Sequence, residues 1–512
     1  MTDRTFDADI IVAGAGPSGL MVSCEARLGG ASVLTLEKRN GPTWARAGTL
    51  TPRVMEIFAS RGMADKVLAR AFELHADPRS FRGIWAGLPT LHYDRLDTEY
   101  PYILMFAQIE TERLLAEQFT SLGGEIRLQT EVIGYEQDDD GIDVHVRTAA
   151  GSLQTLRGRY LVGADGNKSA VRAAAGIRFI GEPSTRTAVN VDALIDNPYD
   201  KMLTVFNSEA GWAMAYPLRT GVTRLAFIDA ATCRDNIHAP LSRDEALTRL
   251  RRVHGSDFGI SEVNAINAFH DAMYLAEKLR EGRVFLVGES VRVHYPASGV
   301  GMNFCLQDAF NLGWKLAAVV NGSADETLLD SYETERRPEI EALLDDVRRQ
   351  CSIQFNFDRE HIALKQFFEK DLIPLPAVNL LLCQNLAGFS ANYPAPADAH
   401  QIVGRRLPNI GVRTAGPGGS SVFQLLSRQQ FVLLDLAGND VTALPPLSPK
   451  IVTASASEPV THPDLDGLGA VLIRPDGHVA WAGEQPLTEC IPSAEIARWI
   501  KSGDDVPPCE RP

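Results

Sequence analysis

The 512 residues carry 65 acidic against 50 basic side chains, a net charge of −15, which repels nucleic-acid phosphates and anionic membrane surfaces alike. Hydrophobic residues make up 45% of a chain long enough for roughly two or three packed domains, and no run of about 18 apolar residues is present to span a bilayer. The seven cysteines are dispersed without a C-x-x-C and the 11 histidines without ligand-like spacing, which sets aside a disulfide framework and a metal site and, with a polar N-terminus lacking an apolar signal core, predicts a cytoplasmic protein.

The first element in chain order is the most informative. The apolar run Asp9-Ile10-Ile11-Val12-Ala13 predicts a strand and ends in Gly14-Ala15-Gly16-Pro17-Ser18-Gly19, a G-x-G-x-x-G turn before a helix-compatible segment. A second strand, Ser32-Val33-Leu34-Thr35-Leu36, closes on Glu37, the acid that a dinucleotide-binding βαβ unit places roughly twenty residues on. Gly14 permits the turn, Gly16 lets backbone approach a pyrophosphate, Gly19 lets helix pack on strand, and the helix N-terminus offers N–H groups to phosphate. A helical pattern follows from Pro52 to Phe72, then an irregular aromatic-rich stretch over 76–105, then a helix over Thr111–Phe119 stopped by Gly123-Gly124. Asp138-Asp139-Asp140-Gly141 predicts a solvated hairpin turn between two strands.

The segment Tyr160-Leu161-Val162-Gly163-Ala164-Asp165-Gly166 repeats the strand-to-turn pattern, with Ser169 and Arg172 on a following helix. From about 180 to 276 the pattern turns to alternating strands at 187–191, 203–206, 211–216 and 224–228, an antiparallel insertion. The chain returns at Val284-Phe285-Leu286-Val287-Gly288-Glu289-Ser290 and reaches a third glycine turn, Pro296-Ala297-Ser298-Gly299-Val300-Gly301-Met302-Asn303, ahead of another helix. Helices run on to about Gln384, with Arg336-Arg337-Pro338 read as a helix end, and Tyr393–Asp398 reads as a linker. Residues 401–512 read as a small α/β domain around a Pro475-Asp476-Gly477 turn. Three strand-to-glycine turns, each an anion cradle, indicate one large ligand touched at several points.

With G-x-G-x-x-G at 14–19, G-A-D-G-x-x-S-x-V-R at 163–172 and the stretch from Gly288 through Asn311-Leu312-Gly313-Trp314-Lys315, the chain resembles the flavin-dependent aromatic monooxygenases typified by para-hydroxybenzoate hydroxylase. The nearer branch is the larger enzymes acting on polyketides, phenols and rifamycins. The resemblance implies an α/β protein: a Rossmann-like FAD-binding domain (1–75, 100–180 and 277–395), an inserted, mostly antiparallel substrate sheet (76–99 and 181–276) and a C-terminal thioredoxin-like domain (400–512), as monomer or homodimer. It implies FAD, with NADPH or NADH as a transient reductant and no nicotinamide domain of its own. Gly14, Gly16, Pro17, Ser18 and Gly19 would hold the pyrophosphate, Glu37 and Lys38 the adenosine end, and Gln108, Arg113 and Asp165 the middle of the cofactor. Arg46 and Pro296 would flank the flavin, and the backbone of Gly299, Gly301, Met302 and Asn303 would face its pyrimidine edge. Gly288 and Glu289 stand where the family has Gly-Asp, and Val291 and Arg292 where it has Ala and His.

The expected reaction is insertion of one oxygen atom from O2, through a flavin C4a-hydroperoxide, into a bulky aromatic or polyketide-like molecule. His294 is the acid–base candidate, with Arg46 and Pro296 beside the reacting ring. The substrate would lie against Trp85, Phe106, Phe206, Trp212, Met214, Tyr216 and Phe227. Strand alternation puts Trp212, Met214 and Tyr216 on one face. Gly211–Pro217 matches the G-W-x-W-x-I-P of flavin halogenases only in part, since Met214 and Tyr216 depart from it. Baeyer–Villiger oxygenation of a polycyclic ketone, and a flavoprotein that binds a small molecule without oxidising it, stand as alternatives.

Overall fold

A computed structural model of the chain describes residues 5–41, 47–196, 203–219, 221–235, 238, 240–414, 420–442, 444, 447–458, 460 and 462–501. Arg46, one of the cofactor and catalytic candidates, lies outside them.

The chain opens with β1 (Ala8–Ala13), α1 (Pro17–Leu28) and β2 (Val33–Glu37), and after a helical and irregular stretch continues with α2 (Gln108–Ser121), β3 (Glu125–Leu128) and β4 (Leu153–Gly163). The inserted region supplies β5 (Thr187–Ile195), β6 (Thr204–Ser208), β7 (Gly211–Arg219), β8 (Val222–Asp229), helix α3 (Arg243–His254) and β9 (Ile260–His270). Then come β10 (Val284–Leu286), α4 (Gly301–Val320) and α5 (Ser331–Gln354).

Five of these strands pair in parallel in the order β10-β4-β1-β2-β3. The sheet is covered on both faces, which is why its central strand is uninterruptedly apolar: Ile10, Ile11 and Val12 are fully buried. The inserted sheet is antiparallel, in the order β6-β7-β8-β5-β9, and clusters its two faces separately. Ala213, Ala215, Leu225 and Phe227 pack with α3, while Trp212, Ala226 and Ile228 join the core of the nucleotide domain. No helix among the described residues is long and apolar enough to cross a membrane.

The acidic stretch at 138–141 is a turn between Thr130–Gln137 and Ile142–Thr148, its Asp138 Oδ1 accepting from the N–H groups of Asp140 and Gly141, both at 2.9 Å. The pattern from Pro52 to Phe72 divides into Pro52–Ala59 and Ala64–Leu74, because Gly62 at φ 67° turns the chain between them. Pro338 does not end a helix. Ser331–Gln354 runs through it, and the turn is pinned by its neighbours: Arg336 binds Asp308 Oδ1 (2.7 Å), and Arg337 binds Glu333 and the Glu277 carbonyl (both 2.8 Å).

Beyond residue 400 a five-stranded mixed sheet forms, with Phe431–Asp435 parallel to Ile451–Ala456 and antiparallel to Ala470–Ile473. It docks on the first domain through a buried ionic network. Arg474 grips Glu335 of α5 at 2.7 and 2.9 Å, Lys315 of α4 reaches the same carboxylate at 2.7 Å, and Trp314 donates to Asp476 at 3.2 Å.

Candidate functional site

The glycine turns converge. Gly14 sits at φ 105°, and a Cβ there would stand 2.4 Å from the Ala164 carbonyl, so the first and second turns abut. A Cβ on Gly288 would stand 2.4 Å from Ser18 Oγ, which brings the third against the first. Gly19 packs directly on Gly14, leaving no room for a side chain. Gly16 is different: nothing lies within 4 Å of where its Cβ would be, and as N-cap of α1, with Pro17 next, it has no side-chain cap. An open approach to an uncapped helix N-terminus is what a pyrophosphate requires. Glu289 stands exposed beside this opening.

Glu37 is buried at the end of β2 and already has partners. Its Oε2 accepts from the Ala15 N–H (2.9 Å), and its Oε1 from the backbone N–H (2.9 Å) and Nε (2.8 Å) of Arg39. Burial pushes this carboxyl up, but the Arg39 hydrogen bonds overcome it and hold the pKa below the usual value. Lys38 points to solvent. Gln108 bonds Glu112 one helical turn on (2.8 Å) and accepts weakly from the Ala47 N–H (3.4 Å). Arg113 does not join it: exposed on another side of α2, it pairs with Glu110 at 3.2 Å. Asp165 turns inward toward the helix 170–174, whose N-cap is Ser169, and accepts from its Ala170 (2.7 Å) and Val171 (3.1 Å) N–H groups.

On the other side, residues 47–51 form a ledge. Phe106 N–H donates to the Gly48 carbonyl (2.9 Å), and Asn303 clamps the ledge twice, accepting from the Thr51 N–H (2.8 Å) and donating to the Thr49 carbonyl (3.0 Å). Facing it, Ala297–Gly299 leads into α4, a second helix N-terminus without a side-chain cap. Gly301 and Met302 are half-buried there, and Pro296 is exposed at the rim. His294 lies under Gly301, with Nδ1 2.8 Å from the Tyr295 carbonyl. Burial first, and the Arg292 charge second, push its pKa down to about 4, so at neutral pH Nδ1 donates and Nε2 is an acceptor.

The inserted sheet faces this ledge with Trp212, Met214 and Tyr216. A Cβ on Gly48 would meet Leu218 Cδ1 at 3.5 Å and Tyr216 Cε2 at 3.6 Å. Trp212 is buried and donates to the Gly87 carbonyl (2.9 Å), so it anchors the hairpin carrying Trp85. Trp85 in turn packs on Phe368 and donates to Asp346 (3.2 Å). Three expected substrate contacts fall elsewhere. Phe206 and Phe227 project from the opposite face, where α3 covers them, because β6 pairs Phe206 with Ala213 and β8 pairs Phe227 with Ala213. Phe106 is fully buried inside the nucleotide domain's core.

The residues present fit FAD. The space at Gly16 would admit phosphate, and Glu112, buried between Gln108 and the Arg39 side, has an Oε2 with no partner among the described residues. Residues 7–347 match the family described as FAD binding domain, and residues 400–501 the one described as aromatic-ring hydroxylase, C-terminal. This chain belongs to the FAD-dependent aromatic-ring monooxygenases. A rifampicin monooxygenase of Streptomyces venezuelae is 35% identical over 93% of this chain and 96% of its own length. The structure of the anhydrotetracycline hydroxylase OxyS from Streptomyces rimosus superposes with a TM-score of 0.83 at 32% identity, covering 97% of this chain and 99% of that one. A dialkyldecalin synthase of Streptomyces rugosporus is 30% identical over 96% of this chain and 98% of its own length.

Two further features shape the site of this monooxygenase. Arg39 follows Glu37 by two residues, and an acid–x–base step at a strand end is a visible signal. Gln350, fully buried on α5, has none: its Oε1 accepts from Ser298 Oγ (2.8 Å) and from the Ala86 N–H (2.9 Å), both far off in sequence. The Ile84 carbonyl lies equally near Ser298 Oγ (2.8 Å) as a second acceptor for its one proton, and Ser298 holds φ 53° in the loop before α4. One amide thus ties that loop to the Trp85 hairpin.

Proposed function

We propose that the chain is an NAD(P)H-using monooxygenase that places one oxygen atom from O2 into a bulky aromatic or polyketide-like molecule held between the β5–β9 sheet and the 47–51 ledge. The observation that carries this reading is convergence: the turns at 14–19, 163–166 and 288–290 abut one another around the open Gly16, and on the other side Gly48 of the ledge comes within contact distance of Tyr216 and Leu218 of the inserted sheet. Bound FAD, reduced by NAD(P)H, supplies the electrophilic oxygen.

The protein's part is placement and exclusion. Gly14, Gly16, Ser18, Gly19 and Gly288 would seat the pyrophosphate, with Glu289 at its side. Glu37 and Arg39 would take the ribose, and Gln108 with Glu112 the chain between. The N–H groups opening α4 at Gly301–Asn303 would face the flavin's pyrimidine edge and stabilise negative charge on it. His294, kept neutral, offers Nε2 as an acceptor below that loop. Trp212 closes one wall against water, since it is buried and hydrogen-bonded to the hairpin.

The test is single-turnover oxidation of the NADPH-reduced, FAD-loaded protein under oxygen-18 gas with a panel of hydroxylated tri- and tetracyclic aromatics. A product two mass units heavier than its counterpart made under ordinary oxygen supports the reading; NADPH oxidation that never labels a product overturns it. A second reading rests on the dialkyldecalin synthase relative, whose name describes ring formation. It holds if the FAD-loaded protein cyclises a polyene without consuming O2.

A further inference from the structure

Three side chains buried where α4, α5 and the chain leaving β10 meet carry more positive charge than negative. Asp308 of α4, fully buried, holds two guanidinium groups, one on each oxygen: Arg292 on Oδ2 and Arg336 of α5 on Oδ1 (2.7 Å). Each arginine is only 1% exposed. Arg336 gives another N–H to the Tyr393 hydroxyl (3.1 Å). Its Nη2, and both Nε and Nη2 of Arg292, are buried with no hydrogen-bond partner among the described residues. The neighbouring network is different, because there Glu335 and Asp476 match Lys315 and Arg474 charge for charge. An uncompensated buried cation and unmade buried hydrogen bonds are each costly, so a cluster that keeps both lacks a partner.

No side chain nearby supplies the missing charge. Cys305, one turn before Asp308, stays a thiol, since burial pushes its pKa up to about 12. Burial likewise pushes Tyr393 up to about 12 and keeps it a phenol, and the buried Tyr332 spends its proton on the Leu286 carbonyl (2.8 Å). His294 is neutral. Glu289 is exposed, and Glu339, half-buried one turn along α5, accepts from the Asn392 N–H (3.2 Å). A guanidinium cannot shed its proton, whereas the histidine that the family has in place of Arg292 can be neutral beside a carboxylate, so it is the arginine that tips the balance. We propose that Arg292 and Arg336 bind a small inorganic anion of halide size, which accepts their unpartnered N–H groups and restores neutrality. Cys305, Tyr332 and Tyr393 around the cluster are all buried, which favours a monatomic ion such as chloride over phosphate or a carboxylate. The ion is a structural ligand: it joins the strand Arg292–Val293 to α5 and, through Asp308, to α4.

The experiment uses the FAD-loaded full chain, so that the opening at Gly16 is not free to take the ion. Thermal unfolding is followed in sodium chloride, sodium bromide and sodium gluconate at equal ionic strength, and crystals grown in bromide are measured at the bromine absorption edge. The expected result is a saturable rise in Tm of about 2–3 °C with either halide over gluconate. A bromine peak within hydrogen-bond distance of both Arg292 and Arg336 is expected with it. Arg292→His should lose the halide-dependent rise; if that variant fails to fold, the bromine peak decides alone. Equal Tm in the three salts, a rise undiminished in Arg292→His, or water at the two guanidiniums with bromine only elsewhere (an adventitious ion only) overturns the site. The oxygenation reading is untouched by either result.

Discussion

Gly16 and Gly19 look alike in the sequence and act differently in the structure. A side chain on Gly19 would strike the Gly14 carbonyl at 1.9 Å, so Gly19→Ala pushes α1 off β1 and is expected to destabilise the fold itself. A side chain on Gly16 meets no protein atom within 4 Å. Gly16→Val should therefore fold with unchanged thermal stability yet purify colourless; full flavin absorbance relative to protein would refute the pyrophosphate assignment. Glu289 is the family's carboxylate on a longer arm. Glu289→Asp is expected to bind FAD at least as tightly as the parent, read from the quenching of free FAD fluorescence; markedly weaker binding would mean that the glutamate is fitted to its place.

Among the elements, β7 shows what strand register decides. Met214 and Phe206 belong to paired strands one register position apart, Met214 opposite Val205 and Phe206 opposite Ala213, so Met214 faces the flavin domain and Phe206 packs near α3. Met214→Trp should raise the substrate KM by crowding the cavity while leaving stability near the parent's. Phe206→Ala should do the reverse, costing roughly 1–2 kcal/mol of stability, less than a fully buried phenylalanine because the ring is half-buried, with little change in KM. Thermal unfolding and steady-state kinetics on the two variants separate these outcomes, and equal KM effects would mean the faces have been exchanged. On α5, Gln350→Leu leaves the Ala86 N–H without its acceptor and Asp346 Oδ2 without a donor, while the Ser298 hydroxyl keeps the Ile84 carbonyl. A loss of roughly 1–3 kcal/mol is expected in thermal unfolding, and Gln350→Glu should not restore it, because Gln350 Nε2 donates to Asp346 Oδ2 at 2.7 Å and a buried carboxylate there would face another.

At the level of the molecule, the C-terminal sheet is fastened by charge. Glu335 lies under Arg474 and Lys315; burial pushes its carboxyl up, but those cations pull its pKa down to about 2. His478 sits in the same interface, stacked on Tyr393 at 4.2 Å, and burial outweighs the attraction of Asp476 to bring its pKa down to about 4. The two groups give opposite identities to the same trend. A depressed histidine stays neutral in the folded state while the unfolded chain binds a proton below about 6.5, so stability falls as pH drops from there toward 4. The Glu335 contribution is full above the ordinary glutamate value of about 4.3 and goes as pH falls through about 2, so the histidine acts first. His478→Gln should flatten the stability–pH curve between pH 6.5 and 4, worth about 3 kcal/mol at the acid end, measured by denaturant unfolding at a series of pH values; an unchanged slope would place the proton uptake elsewhere.

How much of this was legible beforehand follows from where each constraint acts. The three glycine turns, their strands and the helix starts after them could be read directly, because turn geometry, close approach and capping are settled within a few residues of chain. The acidic hairpin and the alternating face of Trp212, Met214 and Tyr216 could be read for the same reason. The pattern at Arg336-Arg337-Pro338 predicts a helix end, but the contacts of Arg336 with Asp308 and Tyr393, which hold that turn helical, come from other elements. Phe206 and Phe227 had the right chemistry for a substrate wall, but which side of a sheet an aromatic takes depends on what packs there, and α3 claims them. The amide of Gln350, the Arg292–Asp308–Arg336 cluster and the ionic seam at Arg474 join residues tens to hundreds of positions apart. By itself the sequence determined the cofactor and the architecture that carries it, because those depend on local backbone freedom. Only the tertiary structure decided which side chains surround the substrate, because that is a matter of strand register and of partners brought together by folding.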